Sequence, residues 1–153
     1  MIQLVNDILQ LSNLDNVSEA GTPLTMETVD LLEVARECVE RQKVNAKRSF
    51  ISLTYLGESA PVLGSRSLLD ELCQNLCDNA IRYNRPGGKV QIITACTRDG
   101  HCSLTVKDNG IGIPKEAQSS VFERFYRVDK SRSKATGGTG LGLAIVKHIA
   151  RIH

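Results

Sequence analysis

The sequence has no tryptophan, only three tyrosines and three phenylalanines, and no long hydrophobic run. The scarcity of aromatic side chains argues against a stacking platform for single-stranded nucleic acid. Lys and Arg outnumber Asp and Glu by 19 to 17, so the strong positive field of a nucleic-acid-binding domain is missing and no nucleic-acid partner is expected. Because no stretch of about 18 apolar residues occurs, no membrane span is predicted. No basic-then-apolar signal peptide opens the sequence.

Cysteine and histidine spacing argues against a metal site. The chain has five cysteines, an odd number, and no Cys-x-x-Cys pair, and its three histidines are not spaced like zinc ligands. Cys73 and Cys77 lie four residues apart in a helical pattern, while Cys96 and Cys102 bracket a predicted turn. We expect these cysteines to be buried and reduced, as in a cytoplasmic protein.

The length of 153 residues, with 41% hydrophobic and 24% charged residues, fits one domain or one domain with an appendage. Apolar side chains over 2–14 follow helical spacing, but this stripe has no partner within its own segment. It is typical of the end of a helical bundle or coiled coil, and packing of the same helix on the domain is the alternative. A turn-rich break follows over 16–23.

The rest of the chain alternates between helical and strand patterns. Asp30 is placed to cap a helix that runs to about Arg48. The following elements are a strand over 51–56, a helix over 66–84, strands over 90–97 and 102–107 around an Asp99-Gly100 turn, and a helix from Leu141. This order predicts an α+β fold with helices over one face of a mixed sheet.

Two asparagines and an arginine share one face of the helix predicted over 66–84. Asn75, Asn79 and Arg82 or Tyr83 follow three- and four-residue spacing, and apolar residues occupy the opposite positions. Such polar groups are costly unless they meet water, an ion or a ligand. An asparagine amide oxygen suits Mg²⁺, which also takes phosphate oxygens, and Arg82 can contact phosphate. A solvated polar face is the alternative.

Two glycine-rich segments suggest contacts with a nucleotide. Asp108-Asn109-Gly110-Ile111-Gly112 directly follows a strand, so its carboxylate can accept a hydrogen bond from an amino group such as adenine N6. A tight turn capped by Asp108 is the alternative. The second segment, 137–144, opens a helix, where free N–H groups bind anions and glycine lets phosphate approach. Neither G-x-G-x-x-G nor the P-loop pattern is present.

Basic residues are concentrated between these two segments. The spacing of Phe122 and Phe125 predicts a short helix anchored to the domain. The stretch 130–136 has no aliphatic residue larger than alanine, and Asp129 is the only acid among five basic residues, namely Arg124, Arg127, Lys130, Arg132 and Lys134. We predict a mobile basic lid over polyphosphate, with a solvated loop as the alternative.

These four segments, in this order, resemble the nucleotide-binding domain of sensor histidine kinases of two-component systems. NLCDNAIRYN is similar to the family's N box, DNGIGIP to its first glycine box, VFERFYRVD to its F box and GGTGLGLAIVKHI to its second glycine box. The similarity extends from Asp30 to the end, and LVNDILQLSNLDN resembles the second helix of the family's dimerisation domain. The resemblance implies a two-layer α/β sandwich. It also implies transfer of the ATP γ-phosphoryl group to a histidine and then to a response-regulator aspartate.

The resemblance implies roles for the matching residues and implies ATP and Mg²⁺ as cofactors. Asn79 is expected to bind the metal, supported by Asn75, and Asp108 is expected to hold adenine N6. Arg82 and Tyr83 contact phosphate and the nucleotide edge. The glycines at the adenine ring are Gly110 and Gly112. The triphosphate is wrapped by Gly138, Thr139, Gly140, Leu141, Gly142 and Leu143. The implied catalytic residues are Asn75, Arg82 and Arg127, the last reaching the phosphates from the F box.

The resemblance also predicts the domain organisation. We expect the end of a dimerisation helix over 1–16, a linker and first strand over 17–29, and an ATP-binding catalytic domain over 30–153. Two features depart from the family: no histidine has the acidic and proline context of the phosphoacceptor, and the usual strand pair after the last helix is missing. The chain is therefore expected to be the cytoplasmic part of a larger, homodimeric, membrane-anchored bacterial kinase. Its expected partners are ATP, the phosphoacceptor domain of the same kinase and a response regulator.

Three other functions remain open. An ATPase of the gyrase, chaperone and mismatch-repair group places a water-activating Glu one turn before the metal asparagine, but this chain has Asn75 there and Glu71 is two turns away. A serine kinase of the anti-sigma type fits less well with the dimerisation-like N-terminus. A non-catalytic nucleotide-binding module is disfavoured because all four boxes are intact.

Overall fold

The computed structural model describes residues 2–20, 23–129 and 137–153, which form two compact units. The sheet unit is Thr25–Gly112, and the terminal unit combines Met1–Leu24 with Ile113–His153. The helices are α1 (Ile2–Ala20), α2 (Leu31–Arg48), α3 (Arg66–Arg82) and α4 (Gly142–Ile152). The strands are β1 (Glu27–Asp30), β2 (Ser52–Gly57), β3 (Pro61–Gly64), β4 (Lys89–Cys96) and β5 (Cys102–Asp108). None of the described helices combines the length and apolar character needed to cross a membrane.

The sheet unit contains the mixed sheet that the sequence predicts. Its strand order is β2-β4-β5, with β2 parallel and β5 antiparallel to β4. A second, two-stranded antiparallel sheet pairs β1 with β3. Strand β3 was not predicted, because four residues are too few to show a period and its partner is remote in sequence.

Helices α2 and α3 cover one face of the three-stranded sheet. Strand β4 alternates, burying Val90, Ile92 and Thr94 while the side chains between them remain partly accessible. The buried side chains of α2 and α3 complete the core, among them Val34, Cys38, Cys73, Cys77 and Ile81. The predicted α+β fold with helices over one sheet face is therefore confirmed.

Helix α2 begins at the predicted cap and ends at Arg48, as expected. The Asp30 carboxylate accepts hydrogen bonds from Leu32 N at 2.9 Å, Ala60 N at 2.8 Å and Ser59 Oγ at 2.6 Å. The Ser59 and Ala60 bonds are the largest causes that hold the pKa of Asp30 below its ordinary value. Asp30 thus caps α2 and also ties its start to the residues just before β3.

We expect Asp30→Ala to lower the free energy of unfolding by about 0.5–2 kcal/mol, the usual range for loss of a helix cap. Asp30→Asn keeps an acceptor oxygen and should lose less. The folded state lowers the pKa of Asp30. The stabilisation that depends on the Asp30 charge is therefore fully present above the unfolded-state pKa and disappears as the pH falls through the folded-state pKa. Urea unfolding at neutral and acidic pH measures both effects. Equal stability of all three proteins at neutral pH would contradict this role.

In the terminal unit, α1 continues to Ala20, into the segment 16–23 that the sequence predicts as a break. Leu11 and Leu14 are buried, with 4% and 3% of their surface exposed, and α1 contacts α4. The rest of the stripe is exposed, namely Ile2, Val5, Ile8 and Leu9. One part of the predicted apolar stripe therefore has a partner in this chain and another part has none among the described residues.

The cysteines divide into two groups. Cys38, Cys73 and Cys77 are free and buried, as predicted. Cys96 and Cys102 form a disulfide, so the prediction of reduced, buried cysteines is wrong for this pair. The physical reason is the register of β4 and β5, which places these two residues directly opposite each other with their Cα atoms 4.1 Å apart.

The predicted short helix around Phe122 and Phe125 is also wrong. The segment forms turns, and these side chains are 40% and 58% exposed, so neither is an anchor in a core. Phe125 has a φ of 63°, a conformation that a helix does not allow. The predicted lid over 130–136 lies outside the described residues.

Candidate functional site

The polar face predicted on α3 is present in the sheet unit. Asn75, Asn79 and Arg82 are partly accessible, while Cys73 and Cys77 on the opposite side are buried. The Asn75 amide donates to Glu71 O at 3.1 Å, which leaves its own oxygen available. The Asn79 side chain makes no hydrogen bond within the part of the chain that the structure describes. Its amide oxygen can therefore accept a ligand, and as a hard, neutral donor it fits Mg²⁺.

Asp78, beside Asn79, is held by α2 through a contact that sequence reasoning missed. Gln42 Nε2 donates to Asp78 Oδ1 at 2.5 Å, and Gln42 Oε1 accepts from Asn45 Nδ2 at 3.1 Å. Burial raises the pKa of Asp78, and the Gln42 bond and the nearby Arg82 charge oppose this rise. Gln42 interrupts the apolar face of α2 and is 4% exposed in the structure. A polar residue at an apolar position of the helical pattern was the signal that the sequence offered. This pair fixes the N-box helix against α2.

The end of α3 and the first glycine box are brought together. Tyr83 O accepts a hydrogen bond from Ile111 N at 3.0 Å. A Cβ on Gly110 would lie 2.4 Å from Tyr83 O, so only glycine allows this approach. The resemblance places Gly110 at the adenine ring, and in the structure the atom nearest to a Cβ on Gly110 is the carbonyl oxygen of Tyr83, the C-cap of α3.

Asp108 ends β5 with an exposed side chain. Its Oδ1 accepts from Gly110 N at 2.8 Å, which is the turn-capping bond that the sequence left open as an alternative. No partner of Oδ2 occurs among the residues described. One oxygen thus orients the carboxylate, and the other is available to accept a hydrogen bond from a ligand.

Two further asparagines hold this region together and were not predicted to matter. Asn109 Oδ1 accepts from Lys89 N at 2.7 Å, and Asn84 Nδ2 donates to Lys89 O at 3.2 Å. Both side chains bond the backbone of Lys89, the first residue of β4. Asn84 does so from the end of α3, and Asn109 from the loop after β5. The signal was the turn context: Asn109 directly precedes Gly110, and Asn84 lies two residues before Pro86.

In the terminal unit, the F box contacts the second glycine box. Phe125 N donates to Gly140 O at 2.9 Å, and the Arg127 guanidinium donates to the Gly138 carbonyl. Gly140 has a φ of 76°, and a Cβ there would lie 3.0 Å from the Phe125 backbone. The resemblance implies that Arg127 reaches phosphate, and in the structure its guanidinium bonds the second glycine box.

The start of α4 offers backbone donors. The helix begins at Gly142, and no side chain caps its first turn. Leu141 is fully buried, which anchors this end, while Leu141 N bonds Thr139 Oγ1 at 3.3 Å. The uncapped N–H groups and the positive end of the helix dipole suit an anion. Leu141 can contribute to such a site only through its backbone.

Helix α1 contacts both boxes of the terminal unit, in agreement with the alternative in which this helix packs on the domain. Arg124 Nη2 lies 2.9 and 2.8 Å from the two carboxylate oxygens of Asp15, so it is not a free basic residue of a lid. Thr139 Oγ1 donates to Asp7 Oδ2 at 2.7 Å, and His148 Nε2 lies 3.1 Å from Leu14 O. These partners are more than a hundred residues apart in sequence, which hides them from local patterns.

A cavity of about 250 Å³ in the terminal unit is lined by residues of α1, the F box and α4, and none of the predicted site residues lines it. Over residues 2–20, 23–129 and 137–153, no group of three or more His, Cys, Asp or Glu side chains could hold a metal ion.

Comparison with known proteins adds independent information. A family model described as histidine kinase-, DNA gyrase B-, and HSP90-like ATPase matches residues 64–153. The sensor-like histidine kinase SenX3 of Mycolicibacterium smegmatis is 43% identical over 157 residues, covering 100% of this chain and 39% of that protein. The sensor protein kinase WalK of Staphylococcus saprophyticus is 38% identical, covering 100% of this chain and 25% of that protein. The chain thus spans well under half the length of these relatives.

Two solved structures of histidine kinases are also similar to this chain. The mycobacterial sensor histidine kinase MprB is 36% identical with a TM-score of 0.72, covering 84% of this chain and 80% of that one. Full-length ShkA in complex with AMPPNP is 26% identical with a TM-score of 0.81, covering 97% of this chain and 30% of that one.

Proposed function

This chain belongs to the family of histidine kinase-, DNA gyrase B- and HSP90-like ATPases, as a sensor histidine kinase catalytic domain. From that premise we propose that it binds Mg·ATP and supplies the γ-phosphoryl group to a histidine on a dimerisation helix. A response-regulator aspartate then receives the group. The observation that carries the proposal is the pair of available acceptors, Asn79 and Asp108 Oδ2, at the positions that match the N box and the first glycine box.

We assign adenine recognition to the sheet unit. Asp108 Oδ2 accepts a hydrogen bond from adenine N6, while the Oδ1 bond to Gly110 N keeps the carboxylate in place. Gly112, with a φ of 73° and no atom near its missing Cβ, leaves room for the flat ring. Tyr83 and Gly110 support this surface through their backbone contact.

We assign the metal to Asn79, with Asn75 beside it on the same helix face. When bound, Mg²⁺ neutralises charge on the phosphate oxygens. Arg82, partly accessible one turn later on the same face, adds a cation for phosphate. Phosphoryl transfer requires mainly positioning and charge stabilisation, and these side chains on one rigid helix supply both.

We assign phosphate contacts in the terminal unit to Arg127 and to the backbone from Gly138 to Leu143. The uncapped first turn of α4 supplies N–H donors. Arg127 donates a hydrogen bond to the Gly138 carbonyl and so holds this segment in place. It contacts phosphate when it exchanges this bond for one to a phosphate oxygen.

Hydrolysis is the weaker alternative within the same family. A water-activating carboxylate one turn before Asn79 is needed for it, and Asn75 occupies that position with its amide bonded to the Glu71 carbonyl. An asparagine cannot take a proton from water. Transfer to a positioned histidine has no such requirement at this place in the helix.

The larger assembly is proposed from the relatives, which are sensor kinases. We propose that residues 1–16 end a dimerisation helix, that 17–29 connect it, and that 30–153 form the catalytic domain of a homodimeric, membrane-anchored kinase. The exposed part of the α1 stripe, at Ile2, Val5, Ile8 and Leu9, supports a bundle partner.

The test is transfer of label from γ-labelled ATP. The chain is incubated with Mg²⁺ and a separate dimerisation fragment that carries the phosphoacceptor histidine. We expect acid-labile, base-stable label on the fragment, and none when its histidine is replaced by alanine. Base-labile label, or release of inorganic phosphate without transfer, would exclude a histidine kinase and favour the serine kinase or ATPase alternatives.

The chain alone should bind ATP but remain unphosphorylated. His148 is hydrogen-bonded to Leu14 O and partly buried, His101 follows the hairpin turn, and His153 ends the chain. None of the three has the acidic and proline context of a phosphoacceptor histidine. Quantifying acid-labile phosphate per chain after incubation with Mg·ATP checks this, and one phosphate per chain would contradict it.

A further inference from the structure

The chain leaves α2 through a backbone conformation that favours glycine, and a phenylalanine occupies it. Ser49 is the C-cap of the helix, and the next residue, Phe50, has a φ of 56°. Phe50 N donates to Lys47 O at 3.1 Å, and Ile51 N donates to Ala46 O at 2.9 Å. These two bonds define a Schellman motif, in which glycine is the usual residue at the position of Phe50. The backbone therefore gives no local reason for a phenylalanine here.

The fold gives the Phe50 side chain little in return. The residue is 74% exposed, whereas its neighbour Ile51 is 7% exposed and belongs to the core of the sheet unit. Phe50 thus departs from the preference of its own backbone without gaining burial. Such departures are expected where a side chain acts on something outside its own fold. The ring is therefore a candidate contact for a partner.

Basic side chains surround this ring on two segments of the sheet unit. Three- and four-residue spacing places four exposed residues on one face of the last two turns of α2, namely Lys43, Val44, Lys47 and Arg48. The loop that carries the exposed Arg85 is held beside the ring's backbone, because Gly87 N donates to Phe50 O at 2.8 Å. The term basic patch is used below for Lys43, Val44, Lys47, Arg48, Phe50 and Arg85.

The charge of the basic patch is largely uncompensated. Glu40 is the acid on the same helix face, and its Oε2 lies 3.8 Å from Lys43 Nζ. The other cations of the patch form no ion pair with the residues that the structure describes. Lys47 and Arg48 suit the negative C-terminal end of α2, but this dipole does not explain Arg85 or the exposed ring. The patch therefore combines free positive charge with exposed apolar surface.

We propose that the basic patch binds the surface of an anionic lipid bilayer. The Phe50 ring enters the boundary between headgroups and acyl chains, and the cations contact lipid phosphates. A fluid bilayer accepts one protruding ring without a shaped pocket, whereas a protein partner needs a complementary surface of about 1,000 Å². Positive charge spread over a helix end and a loop fits a diffuse negative surface, which salt screens. The proposal does not depend on phosphoryl transfer.

Because the sequence has no tryptophan, a single introduced tryptophan reports on its own position. Phe50→Trp places the reporter in the basic patch, and Leu63→Trp, at a 69% exposed position of β3, is the matched control. Each chain is mixed with vesicles whose acyl chains carry bromine, made of phosphatidylglycerol and phosphatidylcholine in equal parts or of phosphatidylcholine alone. We expect a blue shift and quenching for Phe50→Trp with the anionic vesicles, and neither for Leu63→Trp. The exposed stripe of α1 is also apolar, so this reporter locates the contact where binding alone does not.

Sedimentation with the same lipids measures affinity. Each Lys or Arg near an anionic surface contributes about fivefold, so replacing both Lys47 and Arg48 by Gln should weaken binding about 25-fold. Phe50→Gly should weaken it about tenfold through loss of apolar contact. Arg98→Gln, which changes an exposed cation in the β4–β5 turn, should bind as the unchanged chain does. Because glycine suits the backbone at position 50, Phe50→Gly should unfold at an equal or higher urea concentration.

Several results would overturn the proposal. They are the absence of quenching for Phe50→Trp with anionic vesicles, equal affinity for both kinds of vesicle, and an equal loss of affinity in Arg98→Gln. Binding of polyglutamate without binding of vesicles would assign the basic patch to an acidic protein instead. A lower urea midpoint for Phe50→Gly would show that the ring supports the fold, which removes the reason to assign it to a bilayer.

Discussion

Asn79→Ala should bind ATP much more weakly than the unchanged chain when Mg²⁺ is present. The substitution removes the α3 amide oxygen that makes no internal hydrogen bond, while the apolar side of the helix stays intact. Loss of an outer partner of a metal already costs roughly 10- to 100-fold, and a direct ligand should cost at least as much. Calorimetric titration with ATP in the presence of Mg²⁺ measures the difference.

Two controls make this result specific. Gln74→Ala removes a neighbouring α3 amide that has no assigned role, and it should leave ATP affinity unchanged. With the metal chelated, Asn79→Ala and the unchanged chain should become nearly equal, because the lost contact is with Mg²⁺. If the two chains bind Mg·ATP equally, the metal assignment of Asn79 is wrong.

Asp108→Asn should lower ATP affinity without unfolding the domain. The Oδ1 bond to Gly110 N requires an acceptor, so an asparagine keeps its one oxygen there and turns its NH₂ group toward adenine N6. The NH₂ donor of the asparagine then faces the amino donor of adenine, and no hydrogen bond can form. A charge-assisted hydrogen bond is worth about 1.5–3 kcal/mol, so we expect a loss of roughly 10- to 150-fold.

Competition between nucleotides identifies the cause of this loss. Adenine presents an amino group where guanine presents a carbonyl, so the variant should lose most of its preference for ATP over GTP. Asp99→Asn, which changes an exposed carboxylate in the β4–β5 turn, is the matched control and should bind as before. Equal small losses for ATP and GTP, or no loss, would remove Asp108 from adenine recognition. Urea unfolding of each variant separates misfolding from lost contacts.

Much of the sheet unit could be predicted from sequence because its features are local. The Asp30 cap, the apolar period of α2 and α3 and the Asp99-Gly100 turn each depend on side chains within a few residues. The four boxes were also recognisable, since each is a short, contiguous motif. The single face of α3 that carries Asn75, Asn79 and Arg82 follows directly from the helical repeat.

Predictions failed where a residue's partner is remote in sequence. Local pattern suggested a helix at Phe122 and Phe125, but their surroundings depend on the Phe125 bond to Gly140 and the Arg124 pair with Asp15. The 16–23 break was predicted from turn residues, yet α1 continues to Ala20.

The sequence by itself determined the α+β class, the Asp30 cap of α2, the polar face of the N box and the family, because spacing along a chain sets helical and strand periods. Tertiary structure alone decided that Arg124 pairs with Asp15, that Cys96 bonds Cys102 and that Cys38, Cys73 and Cys77 share one buried core. These contacts depend on strand register and on which helix faces meet. Both are set by packing of the whole unit, and no window of neighbouring residues contains that information.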